Sequence, residues 1–151
     1  MKKFILIFAL LISCSSVSKA QCDTEFREAC GNASAMAVYN TYMLIGEVGD
    51  AYKRYAYNRD EVTAKMKTQT ATLQTLINTF SKCRPTAGNG LNKDDMQYIK
   101  ELLRCLESLR LTAETLSNYV KDRNDASELA YNLSRLQAWT QISALLGLEE
   151  K

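Results

Sequence analysis

Apolar residues recur at alternating steps of three and four over much of the chain, which is the spacing of packed helices with coiled-coil-like seams. The clearest series, with one polar member, is Val62, Met66, Gln69, Leu73, Leu76 and Phe80. A longer series follows at Ile99, Leu102, Leu106, Leu109, Ala113, Leu116 and Val120. A third set comprises Ala126, Leu129, Leu133, Leu136 and Ile142. At 1.5 Å per residue, the first two series predict helices roughly 30 and 40 Å long, and hence an elongated domain.

Loop-forming residues separate these series and place the helix ends. Asn58-Arg59-Asp60 separates a first helix from the second, and the segment 83–91 contains a proline and two glycines. Asn92 suits a helix N-cap, and residues 122–125 separate the last two helices. The predicted fold is all-α, an elongated antiparallel bundle of three to four helices in one domain over residues 21–151. The predicted helices are 27–57, 61–83, 93–121 and 125–146.

The amino terminus has the features of an export signal. Lys2 and Lys3 precede an uninterrupted apolar run over residues 4–12, and small residues at positions 18 and 20 mark a cleavage site before Gln21. The apolar run is shorter than the roughly 20 residues that a permanent membrane helix needs. We therefore predict a signal peptide at residues 1–20 and a periplasmic or secreted protein.

A lipoprotein route competes with that cleavage. Leu11-Ile12-Ser13-Cys14 fits the pattern that bacterial lipoprotein processing recognises. On this route Cys14 becomes a lipidated first residue, which tethers the protein to a membrane face.

Processing changes the charge balance. The whole chain has 19 basic and 17 acidic side chains, and the three lysines in residues 1–20 leave with the predicted signal, which gives a net charge of −1. This balance argues against nucleic acid as a partner. The chain has no histidine, no glycine-rich phosphate loop and no calcium-loop spacing. We therefore expect no enzymatic activity, no catalytic residue, no cofactor and no metal site.

Four cysteines remain after the predicted processing, namely Cys22, Cys30, Cys83 and Cys105. An even number in an oxidising compartment predicts two disulfides. If the first two helices form a hairpin about Asp60, Cys30 and Cys83 meet at its open end, which favours Cys30–Cys83 with Cys22–Cys105. Pairing of nearest neighbours, Cys22–Cys30 with Cys83–Cys105, is the alternative and needs a turn within residues 23–29.

The first helix differs from the others because it contains glycine and many tyrosines. Gly46 and Gly49 cost about 2 kcal/mol of helix propensity relative to alanine. Close packing against a neighbouring helix would offset this cost, and a hinge is the alternative interpretation.

The end of the first helix carries a cluster of aromatic and basic residues. Tyrosine and arginine are enriched at the energetic centres of protein interfaces, so the cluster is a candidate partner-binding surface. The alternative is that the tyrosines face the core and the basic groups are solvated. The candidate residues are Tyr52, Arg54, Tyr55, Tyr57 and Arg59.

Two segments carry a family resemblance. Met43-Leu44-Ile45-Gly46-Glu47-Val48-Gly49-Asp50-Ala51-Tyr52 and Asn89-Gly90-Leu91-Asn92-Lys93-Asp94-Asp95-Met96, with the Arg- and Leu-rich third helix to Tyr119, resemble periplasmic helical transfer proteins of conjugative elements in Bacteroidetes. These are the TrbJ/TraI-like components of type IV secretion. The resemblance covers about residues 40–130. It implies a non-enzymatic role in pilus assembly or at the pilus tip, without catalytic residues.

The first functional hypothesis is thus an exported helical protein that binds a protein partner in the cell envelope, in a conjugative type IV secretion apparatus. The second is a periplasmic immunity or inhibitor protein that neutralises a toxin or hydrolase through the aromatic and basic cluster. A third is an enzyme or carrier with a cavity between its helices.

Overall fold

The computed structural model describes residues 2–83 and 91–148, with side chains described from residue 27 onward. It consists of four helices, α1 (Lys2–Lys53), α2 (Arg59–Phe80), α3 (Lys93–Asp122) and α4 (Asp125–Leu145). The all-helical prediction is confirmed over these residues. The ends of α2, α3 and α4 lie within three residues of the predicted ones, whereas α1 begins at Lys2 rather than at residue 27 and ends at Lys53 rather than at residue 57. The predicted signal peptide and lipidation of Cys14 fall outside the described side chains.

The chain divides into two compact units, residues 1–34 and residues 35–151. The first unit belongs to α1, and its described side chains from 27 to 30 are exposed. The second unit contains the remainder of α1 and the three other helices. All the buried hydrophobic side chains of the described residues lie in this second unit.

Within the second unit, α3 packs against both α2 and α4. The antiparallel direction of α3 and α4 follows from two contacts: Cys105 Sγ lies 3.3 Å from Gln141 O, and Thr112 Oγ1 lies 3.1 Å from Ser134 O. The end of α1 meets the beginning of α4 through a 2.6 Å ion pair between Lys53 and Glu128. α1 and α3 therefore both run antiparallel to α4, as neighbouring helices do in an up-and-down bundle.

Three asparagines begin the three later helices. The side chain of Asn58, Asn92 or Asn124 accepts a hydrogen bond from a backbone N–H in the first turn of α2, α3 or α4, respectively. In each helix the backbone N–H of the asparagine donates in turn to the side chain of the third residue after it, which completes a capping box. These caps satisfy donors that have no partner within the helix, so they fix where each helix begins.

The predicted seam of α3 is the best confirmed of the three. Its members from Leu102 to Val120 are buried, and Ile99 is half-buried. In α2 the seam is correct at Val62, Met66 and Leu73, but Ile77 replaces Leu76 on the inner face. This shift follows from the helical period of 3.6 residues, which moves a strict heptad away from the core over several turns.

The predicted seam of α4 is wrong except at Ile142. Ala126, Leu129, Leu133 and Leu136 are exposed, and the inner face consists of Tyr131, Ser134, Ala138 and Ile142. Small residues occupy the centre of that face because α3 approaches closely there: the Thr112 hydroxyl donates to the Ser134 carbonyl. Leucine side chains would not fit into this contact.

Both predicted disulfide pairings are wrong. Cys30, Cys83 and Cys105 form no disulfide, so neither Cys30–Cys83 with Cys22–Cys105 nor the nearest-neighbour pairing is present; the side chain of Cys22 lies outside those described. Cys105 is 1% exposed between α3 and α4, where its thiol faces Gln141, so other cysteines cannot reach it. Burial, and then the nearby Glu101 carboxylate, raises the pKa of this thiol to about 11.

The corrected seam of α2 predicts opposite behaviour for two leucines one turn apart. Leu73 is 2% exposed and Leu76 is 39% exposed. We expect Leu73→Ala to lower the free energy of unfolding by about 2–5 kcal/mol, through lost burial and a cavity. Leu76→Ala, the matched control, should cost less than about 1 kcal/mol. Urea denaturation measures both. Equal losses in the two variants would show that the inner face of α2 is assigned wrongly.

Burial of Cys105 predicts a pH dependence of stability. The folded thiol keeps its proton up to a pKa of about 11, whereas an unfolded thiol loses it near the ordinary value of 9.0. The unfolded state therefore binds fewer protons in this interval, and the free energy of unfolding falls as the pH rises from about 9 to about 11. We expect Cys105→Ala to reduce this slope, and Cys30→Ala, at an exposed thiol, to leave it unchanged. Denaturation at several pH values gives the slopes, and identical slopes in all three proteins would contradict the prediction.

Candidate functional site

A cleft of about 230 Å³ lies where α1 ends and where α3 turns into α4. The end of α1 and the following loop supply one wall, and the α3–α4 turn with the first turn of α4 supplies the other. The lining residues are Tyr52, Lys53, Tyr55, Tyr119, Arg123, Asn124, Asp125 and Glu128. Two of the predicted partner-binding residues, Tyr52 and Tyr55, are among them.

The end of α1 places Tyr55 in an unusual backbone conformation. The N–H of Tyr55 donates to Tyr52 O at 3.0 Å, and the N–H of Ala56 donates to Ala51 O at 2.8 Å. This pair of bonds is a Schellman motif, which requires a left-handed residue at the position of Tyr55. Tyr55 has φ 60°, and 91% of its surface is exposed to solvent. Glycine is usual there, and a residue with a Cβ costs about 1–2 kcal/mol.

The opposite wall contains a second residue of this kind. Arg123 ends α3 with φ 50°, and its N–H donates to Tyr119 O at 2.9 Å. Among the described residues, Tyr55 and Arg123 are the two non-glycine residues with positive φ, and both line the cleft. Backbone strain of this type is concentrated at functional sites in proteins.

Cations and aromatic rings hold the walls of the cleft together. The Arg123 guanidinium lies 5.3 Å from the centre of the Tyr52 ring, and its Nε donates to the Tyr52 hydroxyl. That hydroxyl donates in turn to Val120 O at 3.3 Å. Lys53 Nζ lies 5.7 Å from the centre of the Tyr119 ring. Tyr52 is therefore a buried support of the cleft rather than a side chain available to a partner.

The exposed groups at the rim have both signs of charge. The Lys53 and Glu128 side chains form their ion pair while about a third exposed, and Asp125 is exposed beside them. Burial, and then the Glu128 carboxylate, raises the pKa of the Tyr119 phenol. The cleft thus offers the rings of Tyr55 and Tyr119, hydrogen-bond donors and acceptors, and balanced charge, which suits a protein segment better than a strongly charged ligand.

The other predicted partner-binding residues lie outside the cleft lining. Arg54 is exposed, and its Nε donates back to Asp50 O at 3.3 Å. Tyr57 packs against the core under Lys65, whose Nζ lies 4.9 Å from the ring centre. Arg59 is exposed in the first turn of α2. The predicted cluster therefore contributes a support, Tyr52, and an exposed ring, Tyr55.

Sequence reasoning missed the second wall. Tyr119, Arg123 and Glu128 come from a stretch 70 residues away from Tyr55, and only the break at residues 122–125 was recognised. Residues with a left-handed backbone are common at helix ends, but a predicted helix end does not indicate that Arg123 contacts Tyr52. Pairing of the two walls depends on the antiparallel packing of α1 on α4.

A second groove of about 470 Å³ runs along α3 between α2 and α4. Its walls are formed mainly by polar and charged side chains, with Ile77 and Leu111, and contain no aromatic ring. It has neither the strained backbone nor the exposed tyrosine of the first cleft, so the first cleft is the better candidate.

The described side chains include no group of three or more cysteines and carboxylates placed to hold a metal ion. Within the same part of the chain, no helix has an apolar stretch long enough to cross a membrane.

Comparisons with protein-family models, curated proteins and solved structures gave no match. The case for a function therefore depends on this chain's own residues.

Two glycines of α1 allow α4 to approach and thereby fix the cleft. A Cβ built on Gly49 would lie 2.4 Å from the Tyr131 hydroxyl, and one on Gly46 would lie 2.6 Å from an Arg135 nitrogen. The predicted close packing at the two glycines is confirmed, and α1 is continuous through both positions. Tyr131 then stacks on Tyr119, the ring in the cleft wall, with centres 6.3 Å apart.

This packing predicts the behaviour of Gly49 and Tyr131. We expect Gly49→Ala to lower the free energy of unfolding by about 1–3 kcal/mol, because overpacking outweighs the gain in helix propensity. The Tyr131 hydroxyl is buried without a hydrogen-bond partner in the described structure, and burial raises its pKa to about 12. Tyr131→Phe should therefore be neutral or stabilising.

A double-mutant cycle tests the contact directly. Tyr131→Phe removes the atom nearest the new Cβ, so it should recover part of the loss caused by Gly49→Ala. Gly31→Ala is the control, because its Cβ meets nothing within 4 Å. Chemical denaturation provides the four free energies of the cycle. Strict additivity of the two substitutions would contradict the proposed contact.

Proposed function

We propose that this chain is an exported, non-enzymatic helical protein that binds a protein partner in the cell envelope through the cleft, with Tyr55 as the anchor. The observation that carries this proposal is Tyr55 itself, 91% exposed at a left-handed position. Folding does not explain a large aromatic side chain there, since glycine would be more stable and the ring is almost entirely solvated. Binding does explain it, since tyrosine is among the residues that dominate interface energies.

The surroundings of Tyr55 support a protein partner. A rigid backbone motif holds the residue, so little conformational entropy is lost when a partner covers its ring. Lys53, Asp125 and Glu128 provide charged groups at the rim, where they contribute orientation more than affinity. An apolar ring surrounded by a polar rim is the usual arrangement of an interface centre.

The resemblance to conjugative transfer proteins supplies the first partner to test. The segment 43–52 that carries part of this resemblance forms the packed part of α1 and leads directly into the cleft. An export signal at residues 1–20 would place the cleft where type IV secretion components assemble. We therefore propose that the partner is a component of that apparatus.

The test separates binding from folding by means of Tyr55→Gly. This variant should raise the free energy of unfolding by about 1 kcal/mol, because glycine relieves the left-handed strain. It should weaken partner binding by about 30-fold or more, as expected for loss of an interface anchor worth at least 2 kcal/mol. Thermal denaturation and binding to the partner captured from envelope extracts measure the two effects.

Arg59→Ala is the matched control, because Arg59 is exposed but lies outside the cleft. It should leave both stability and binding unchanged. A deletion strain complemented with either variant provides the cellular measurement: Tyr55→Gly should reduce conjugation and Arg59→Ala should restore it. If Tyr55→Gly bound the partner as tightly as the wild type, the proposal that the cleft is the binding site would be wrong. Capture of a toxin or hydrolase in place of secretion components would favour an immunity or inhibitor role through the same residue.

A further inference from the structure

Helix α4 has two apolar faces, and the core uses one of them. The inner face comprises Tyr131, Ser134, Ala138 and Ile142, all buried. On the opposite side, Leu129, Leu133 and Leu136 are 58%, 57% and 62% exposed. Steps of four and three residues place these three leucines on a single stripe. A helix needs one apolar face to join a bundle, so the leucine stripe has no role in the fold of the single chain.

The stripe continues the heptad spacing in both directions. Ala126 precedes Leu129 by three residues, and Thr140 follows Leu136 by four. This is the pattern that predicted a core seam from the sequence, and the fold leaves it on the surface. A spacing of 3.5 residues per turn is the one by which a second helix packs along the stripe.

The charge of this surface indicates what that second helix is. From residue 129 to residue 148 the exposed side chains of α4 and the turn after it are all uncharged. Arg135 is the one charged residue in this range, and it faces α1, with NH1 3.6 Å from the Asp50 carboxylate. The leucines are flanked by Asn132 and Gln137, whose amides both donate and accept hydrogen bonds.

A surface of this kind is complementary to itself. In a contact with two-fold symmetry every residue meets its own copy or a neighbour in the same patch, so like charges would repel. With Leu133 nearest the axis the two helices run antiparallel, so the exposed Asp125 one turn before Leu129 lies opposite the uncharged end of the stripe near Thr140 rather than opposite its own copy. The flanking amides can bond to one another. The stripe offers nothing to attract a charged partner. We therefore infer that the stripe binds a second copy of this chain, α4 against α4, with Leu133 nearest the two-fold axis.

Leu76 of α2 provides a matched control. It is a 39% exposed leucine, and its helix packs on α3 rather than on α4. One helix face is a small interface, so the dimer should form in a concentration-dependent manner.

Sedimentation equilibrium of the exported chain, purified as the cell processes it, tests the inference. A reducing agent excludes a disulfide between copies through the exposed Cys30. The wild type should shift from monomer to dimer as its concentration rises. Leu133→Gln and Leu129→Gln should each weaken association by at least about tenfold. Leu76→Gln should dimerise like the wild type. Because both stripe leucines are more than half exposed, their variants should keep the helical circular dichroism of the wild type.

Two results would overturn the inference. One is a wild type that stays monomeric up to the highest concentration that remains clear, including the case in which its stripe binds a different protein or a lipid vesicle. The other is a dimer that forms equally well with Leu133→Gln and Leu129→Gln, because the contact would then lie elsewhere. Since the stripe is separate from Tyr55, neither result bears on the proposed function of the cleft.

Discussion

The close approach of α1 and α4 determines most of the remaining structure of the packed unit. It requires a residue without a Cβ at position 49, because the buried Tyr131 side chain occupies that space, and at position 46 a Cβ would displace the end of the flexible Arg135 side chain. Tyr131 reaches through this opening to stack on Tyr119, and the end of α1 is thereby held against the α3–α4 turn. Two glycines that weaken α1 as an isolated helix thus enable the packing that forms the cleft. The cost in propensity is local, whereas the gain is shared between two helices.

The central position of α3 explains why the apolar pattern of its sequence predicted its buried residues correctly. It contacts α2 on one side and α4 on another, so residues beyond the predicted seam are also buried, including Cys105, Ser108 and Thr112. The polar members of this set bond locally: the Thr112 hydroxyl donates to Ser108 O and to Ser134 O. Burying a hydroxyl without a partner is expensive, so these bonds allow small polar residues where two helices meet closely.

Sequence predicted the starts of α2, α3 and α4 to within two residues, because asparagine caps and apolar periodicity are local signals, but not the start of α1, which has no such signal near Lys2. It could not predict which face of α4 is buried. Leucine is more apolar than serine or alanine, so hydropathy selected Leu129, Leu133 and Leu136, whereas the space left by α3 and α1 required small residues and one tyrosine. The disulfide prediction was wrong for a related reason, because the number of cysteines does not show in which direction the Cys105 side chain points. The second wall of the cleft could not be predicted, because Arg123 contacts Tyr52 only when α1 packs on α4.

The places where this chain departs from the most stable choice fall into two surfaces. Tyr55 occupies a left-handed position that favours glycine. Three leucines of α4 face solvent, although residues at such exposed positions are usually polar. Neither departure contributes to folding of the single chain, and each could be removed by substitution without disturbing a buried contact. Sequences that fold well keep local and global preferences consistent, and departures are concentrated where a protein meets other molecules. Both surfaces include α4, whose first turn lines the cleft and whose outer face begins one residue later at Leu129. If both proposals hold, the helix that joins the core through small side chains is also the element through which this molecule meets its partners.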